Sequence, residues 1–168
     1  VGVCGYPYLL FVVSHIELGG LFALLSANHL SLIADAFAFV GLGLFQRADV
    51  SFFNLELPLS DRGEPARGKA LFHRGMPAGI DGLAEAGVSC VNLANNHVLD
   101  FGDVAMFDTI DLLDRKAIGH FGVGRNLDAA RQGCVVEKNG LRIGFLGYST
   151  TLPMGFAATP ACPGVNPL

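Results

Sequence analysis

Three short polar interruptions in an otherwise apolar chain hold the residue types that could do chemistry: Ser14-His15-Ile16-Glu17, Asn54-Leu55-Glu56, and Ala94-Asn95-Asn96-His97 with Asp100 three residues further on. Together they offer imidazole, carboxylate and carboxamide groups. Carboxylate and imidazole suit a divalent cation such as Mn, Fe, Zn or Mg, and a two-metal site can generate hydroxide and clamp both oxygens of a phosphoryl transfer. A histidine beside such metals can protonate a leaving group. Each motif alone has a plainer reading. A lone histidine at a strand end is more often a hydrogen-bonded structural residue, and Asn-Asn is more often a turn or helix cap than a ligand. The three occurring in order give the site reading its weight.

The elements that must position these groups follow from periodicity. Strand-like and helix-like segments alternate, the pattern of a layered α/β domain. Tyr8 to Ser14 is a β-branched and aromatic run expected to be a strand buried on both faces. Leu21 to about Phe45 is long and apolar enough for a helix, although Gly41 and Gly43 weaken its second half. Val50 to Leu55 and Val88 to Leu93 read as further strands, and Pro77 to Gly87 as a short helix with Gly at its end. Asp103 is the expected cap of a helix whose apolar stripe is Val104, Phe107, Ile110, Leu113 and Ala117. Cys134 to Lys138, Asn139-Gly140 and Leu141 to Gly147 form a hairpin signal of the two-residue type. All three polar interruptions thus fall just past strand ends, where ligands gather in open α/β sheets. The charged, Gly- and Pro-containing stretch Ser60 to Arg74 reads as an exposed loop. His29, His73 and His120 take plain structural readings, Gly122-Val123-Gly124 is too short for a phosphate loop, and the thirteen phenylalanines are read as core.

Composition bounds the function. At 168 residues and 17.7 kDa the chain is one domain's worth, and 15% charged residues with mean hydropathy +0.47 exclude intrinsic disorder. Net charge of -4, with no basic run longer than Arg115-Lys116, argues against nucleic acid as a partner. The longest early uncharged stretch, Leu18 to Ala34, has 17 residues and contains Ser26, Asn28, His29 and Ser31, short of the ~20 apolar residues a transmembrane helix needs. No Lys or Arg precedes Arg47, so a secretory signal is not expected either. Cys4, Cys90, Cys134 and Cys162 show no C-x-x-C spacing and read as buried thiols. Only Glu17 and Asp35 precede Arg47 among charged residues, and none follows Arg142. Apolar ends, a first residue of Val and a closing Pro/Gly stretch lead to the expectation of a single, incomplete domain over 1–168.

The run Phe53-Asn54-Leu55-Glu56-Leu57-Pro58-Leu59-Ser60, followed by Val91-Asn92-Leu93-Ala94-Asn95-Asn96-His97-Val98-Leu99-Asp100-Phe101-Gly102, resembles the CapA family of poly-γ-glutamate capsule synthesis proteins, within the calcineurin-like metallophosphoesterase superfamily. The likeness continues through Asp108-Thr109, Gly122 to Asn126, Ala129-Ala130 and the hairpin into Phe145-Leu146-Gly147-Tyr148, covering roughly residues 8 to 150. It implies a metallophosphoesterase-like layered α/β sandwich. It further implies that Glu56 and Asn96 are metal ligands, that His97 contacts phosphate or acts as general acid, that Asp100 orients His97 or braces the loop, and that Asn95 shapes the turn with Asn54 in support. Family members usually end their first strand in Gly-Asp, where this chain has Ser14-His15; His15 and Glu17 are therefore candidate substitute ligands. The later histidine-rich segments of the family pattern are not in this sequence.

The function expected from the resemblance is capsule or poly-γ-glutamate biosynthesis, with a divalent-metal site of one or two ions and a membrane-bound poly-γ-glutamate synthase complex as partner. The alternatives are a general metal-dependent phosphoesterase and a degenerate domain that keeps only the fold.

Overall fold

The computed structural model describes residues 8–14 and 45–168. His15, Glu17, Cys4, His29 and the helix expected from Leu21 lie outside the described residues, apart from helical backbone over residues 45–47. Eight strands and three helices follow one another along the described chain: β1 (Tyr8–Ser14), β2 (Phe52–Asn54), α1 (Gly79–Glu85), β3 (Cys90–Asn92), α2 (Gly102–Arg115), β4 (Gly119–Phe121), β5 (Val123–Gly124), α3 (Leu127–Ala130), β6 (Cys134–Lys138), β7 (Leu141–Tyr148) and β8 (Gly164–Val165).

Two three-stranded sheets make the framework. One runs β2-β3-β4, all parallel; the other runs β1-β7-β6, with β1 parallel and β6 antiparallel to β7. Parallel neighbours need crossovers, which the α1 and α2 segments supply between β2, β3 and β4. The β6-β7 hairpin forms as its sequence dictates. Asn139 and Gly140 take φ of 51° and 76°, the left-handed pair that a type I′ turn requires and that only Asn, Asp and Gly accept readily. The sheets meet through aromatic side chains: Phe145 of β7 lies 5.7 Å from Phe121 of β4 and 5.0 Å from Phe52 of β2, between ring centroids. Gly147 marks their closest approach, because a Cβ there would stand 2.3 Å from Asn92 Oδ1 and 3.0 Å from the Phe121 ring.

On the outer face of the β2-β3-β4 sheet, α2 buries Ala105, Met106, Thr109 and Leu113 against a cluster that includes Val91, Leu93 and Val98. Each fully buried Met or Leu there is worth about 1.5–3 kcal/mol relative to exposure. The buried stripe is rotated from the one expected, with Phe107 and Ile110 on its half-buried flank. Thr109 can sit at the centre because its hydroxyl donates to the Ala105 carbonyl and accepts from Leu59 N, both at 2.8 Å. Asp103 is not the cap. Phe101 occupies that position without a side-chain bond, and Asp103 stands in the first turn, where its charge still favours the helix dipole. Nor are all phenylalanines core: Phe72 and Phe101 are half-buried, 6.1 Å apart, with the Arg74 guanidinium 3.4 Å above the Phe101 ring.

Candidate functional site

The carboxyl ends of β2 and β3 lie side by side, since Asn54 pairs with Asn92 in parallel register. A chain of carboxamides ties them together. Asn54 Oδ1 accepts from Asn92 Nδ2 at 3.1 Å and from Asn95 Nδ2 at 3.2 Å, while Asn54 Nδ2 donates to Glu56 Oε1 at 2.7 Å. An amide whose oxygen takes two donors is fixed in orientation, so its NH2 group fixes the Glu56 carboxylate in turn. Asn95 is fully buried. Its Nδ2 also donates to the Leu55 carbonyl at 2.9 Å, and its Oδ1 accepts from His97 N at 3.0 Å and Val98 N at 2.9 Å. One side chain therefore makes two bonds to the end of β2 and two within the turn after β3, and so joins them. Asn96, next in sequence, is half-buried and its carboxamide makes no hydrogen bond among the described residues.

His97 and Asp100 form the second part. Asp100 is fully buried, and its Oδ2 lies 2.7 Å from His97 Nδ1 and accepts from His73 N at 2.6 Å. A carboxylate oxygen can only accept, so the contact places a proton on Nδ1 and leaves Nε2 on the far side of the ring. Burial pushes the His97 imidazole below the usual histidine range; Asp100 opposes this, while the charge of Lys69 and His73 push the same way. The neutral ring with Nδ1–H carries a lone pair at Nε2, able to bind a metal or accept a proton; proton donation from Nε2 requires the ring to be charged first.

Two further residues belong to this cluster. Lys69 Nζ bonds Asp100 Oδ1 and the Asn96 carbonyl oxygen, lies 3.0 Å from His97 Nδ1, and sits 5.5 Å from the centroid of the Phe156 ring. The His73 ring stacks on the His97 ring with centroids 3.9 Å apart and planes 9° from parallel. Both come from the loop read as merely exposed, and His73 is not the isolated histidine expected. The loop is a strap closed by Ser60 N to Gly75 O at 3.2 Å and Gly75 N to Pro58 O at 2.9 Å. Ser60 Oγ and Arg62 Nε anchor its start on Asp108 Oδ2, at 2.6 and 2.9 Å. Spacing could not have paired Lys69 with Asp100, because 31 residues separate them.

The structure thus brings Asn54, Glu56 and Asn95 into one hydrogen-bonded group and His97 with Asp100 into another, joined through the Asn95–His97 turn. Glu56 and Asn96 carry side-chain oxygens of the kind a hard divalent ion takes. No group of three or more His, Cys, Asp or Glu side chains able to hold a metal occurs among the described residues.

Residues 29–164 match the family model described as bacterial capsule synthesis protein PGA_cap. A "probable polyglutamine synthesis accessory protein" of Mycobacterium tuberculosis is 34% identical over 121 residues, covering 70% of this chain and 32% of its own. The PGA biosynthesis protein CapA of Bacillus subtilis is 28% identical over 126 residues, covering 74% of this chain and 33% of its own. The capsule biosynthesis protein CapA of Bacillus anthracis is 32% identical over 85 residues, covering 51% and 21%. The chain therefore spans a third or less of the length of these curated relatives. With the Phe53–Ser60 and Val91–Gly102 runs both inside a match that covers most of its length, the chain belongs to the PGA_cap family of bacterial capsule synthesis proteins, which share the metallophosphoesterase-like α/β fold.

Proposed function

We propose that the protein containing this chain acts in capsule poly-γ-glutamate biosynthesis, and that the ends of β2 and β3 form part of a divalent-metal site for phosphoryl chemistry. The observation that carries this reading is the ordered set Asn54–Glu56, Asn95 and His97–Asp100, built at adjacent parallel strand ends within the family match. The family's metallophosphoesterase-like character suggests metal dependence. Glu56 and Asn96 would hold the ion, with His15 and Glu17 as candidates for further ligands. A bound divalent ion would supply Lewis-acid stabilisation of phosphoryl oxygens and lower the pKa of bound water.

The residues of the chain do the rest. Asn54 holds the Glu56 carboxylate in one orientation, Asn95 fixes the backbone of the turn, and Asp100 sets the His97 tautomer so that Nε2 faces away from the carboxylate. The names of the Bacillus relatives support the biosynthetic role, and that of the mycobacterial accessory protein supports a place beside a synthesis complex. No helix among the described residues is long and apolar enough to cross a membrane. The test is polymer yield. A strain carrying the full-length gene with Glu56→Ala or His97→Ala should lose surface poly-γ-glutamate while keeping the protein at wild-type level, and undiminished polymer in both strains would remove this site from the pathway.

A further inference from the structure

The strap residue Lys69 has no counterpart in the chemistry so far, yet it lies at the middle of the His97 cluster. Its side chain is 11% exposed, and the carboxylate it meets on Asp100 is wholly buried. Two of its three N–H groups are committed, one to Asp100 Oδ1 and one to the Asn96 carbonyl oxygen. It cannot donate to His97 Nδ1, although it lies 3.0 Å away, because that nitrogen holds the proton directed at Asp100 Oδ2. An ammonium so enclosed and so bonded is poorly placed to greet a substrate, but well placed to fix its neighbours. It pins one oxygen of Asp100, which leaves the other for Nδ1 and for His73 N, and it pins the backbone one residue before His97.

We propose that Lys69 is a positioning residue of this site: by holding Asp100 and the Asn96 carbonyl it locks His97 as the Nδ1–H tautomer, so that the Nε2 lone pair is presented to a metal ion or to a proton it can accept. This rests on the reading of His97 as a site residue. The His73 ring, stacked at 3.9 Å, closes one face of the imidazole and prevents it from swinging off the clamp. The strap between Ser60 and Gly75 is then part of the site, because it brings both Lys69 and His73 to a turn that is remote in sequence.

The test is nitrogen NMR of the histidine rings in the 15N-labelled, chelator-treated chain, with the His97 signals assigned by their loss in His97→Gln. The wild type should show His97 as a single tautomer, Nδ1 protonated and slow to exchange, Nε2 unprotonated. Lys69→Met should shift Nε2 toward its protonated position and abolish the slow Nδ1 proton, and Lys69→Arg should restore the pattern in part. If Lys69→Met does not fold, Lys69→Gln, which still offers a neutral donor to Asp100, is read in the same way. A wild-type His97 carrying its proton on Nε2 overturns the proposal without any variant, as does an unchanged pattern in the folded Met or Gln variant. Because the metal is removed beforehand, these outcomes are separate from failure of the metal reading. A chain that takes up no metal but loses its tautomer in Lys69→Met keeps Lys69 as the clamp and discards the metal.

Discussion

Replacing Asn95 by alanine removes the side chain that joins the two strand ends. Four hydrogen bonds disappear, and three buried backbone groups are left behind: the N–H groups of His97 and Val98 and the carbonyl of Leu55. Each net bond is worth about 0.5–1.5 kcal/mol, and an orphaned buried group costs about 1–3 kcal/mol. Water entering the vacated space recovers part of that, so a loss of about 3–5 kcal/mol is expected. For a domain of this size that corresponds to a fall in Tm of very roughly 10 °C. Urea unfolding of wild type and Asn95→Ala, followed by far-ultraviolet circular dichroism, measures it through the shift in midpoint at constant slope. Asn95→Asp sharpens the test. A carboxylate still accepts from His97 and Val98, but it faces Asn54 Oδ1 and the Leu55 carbonyl with no proton to give, so it should rescue little. A loss below about 1 kcal/mol in the alanine variant would refute the claim that this carboxamide ties β2 to β3.

Two other outcomes follow from protonation. The folded state holds His97 below its ordinary range near 6.5. As pH falls below that value the unfolded chain takes up the proton first, so the chelator-treated chain should lose stability in that window. His97→Gln should flatten the slope there; equal slopes in both proteins would contradict the burial argument. At the sheet contact, the interaction with buried Cys90 pulls the Cys134 thiol below the ordinary cysteine range, while the same contact and burial push Cys90 up. Iodoacetamide labelling of Cys134, located by peptide mass spectrometry, should therefore rise at a pH below that of an ordinary thiol, about 8.5. Cys90→Ala should move that rise to higher pH, and an unmoved profile would exclude Cys90 as the donor.

β1, β2 and β3 were legible as continuous apolar runs, and the β6-β7 hairpin through Asn139-Gly140, which admits one geometry; β4, β5 and β8, of two or three residues each, were not read, because so short a strand carries no run of its own. The stripe of α2 was misjudged by a rotation. Thr109 counts as polar in a pattern, and only its two partners, Ala105 four residues away and Leu59 fifty residues away, let it be buried. The polar groups of the site could be read at the strand ends, since Asn54, Glu56, Asn95 and His97 interrupt apolar runs at places set by the strands themselves. Lys69 and His73 could not. They lie in a segment whose Gly, Pro and charge describe an exposed loop equally well, and their partner Asp100 is brought to them only by the closed strap. Local pattern reveals what the sheet positions; it does not reveal what folds back over the sheet.

Elemental analysis of the purified full-length protein is the direct test of a divalent-metal site at the ends of β2 and β3. The purified protein should carry Mn, Fe, Zn or Mg at about one ion or more per chain, with the content falling in Glu56→Ala while the variant remains folded. Folded wild-type protein that retains no divalent ion after purification with these metals supplied, or a metal content unchanged in Glu56→Ala, would contradict it.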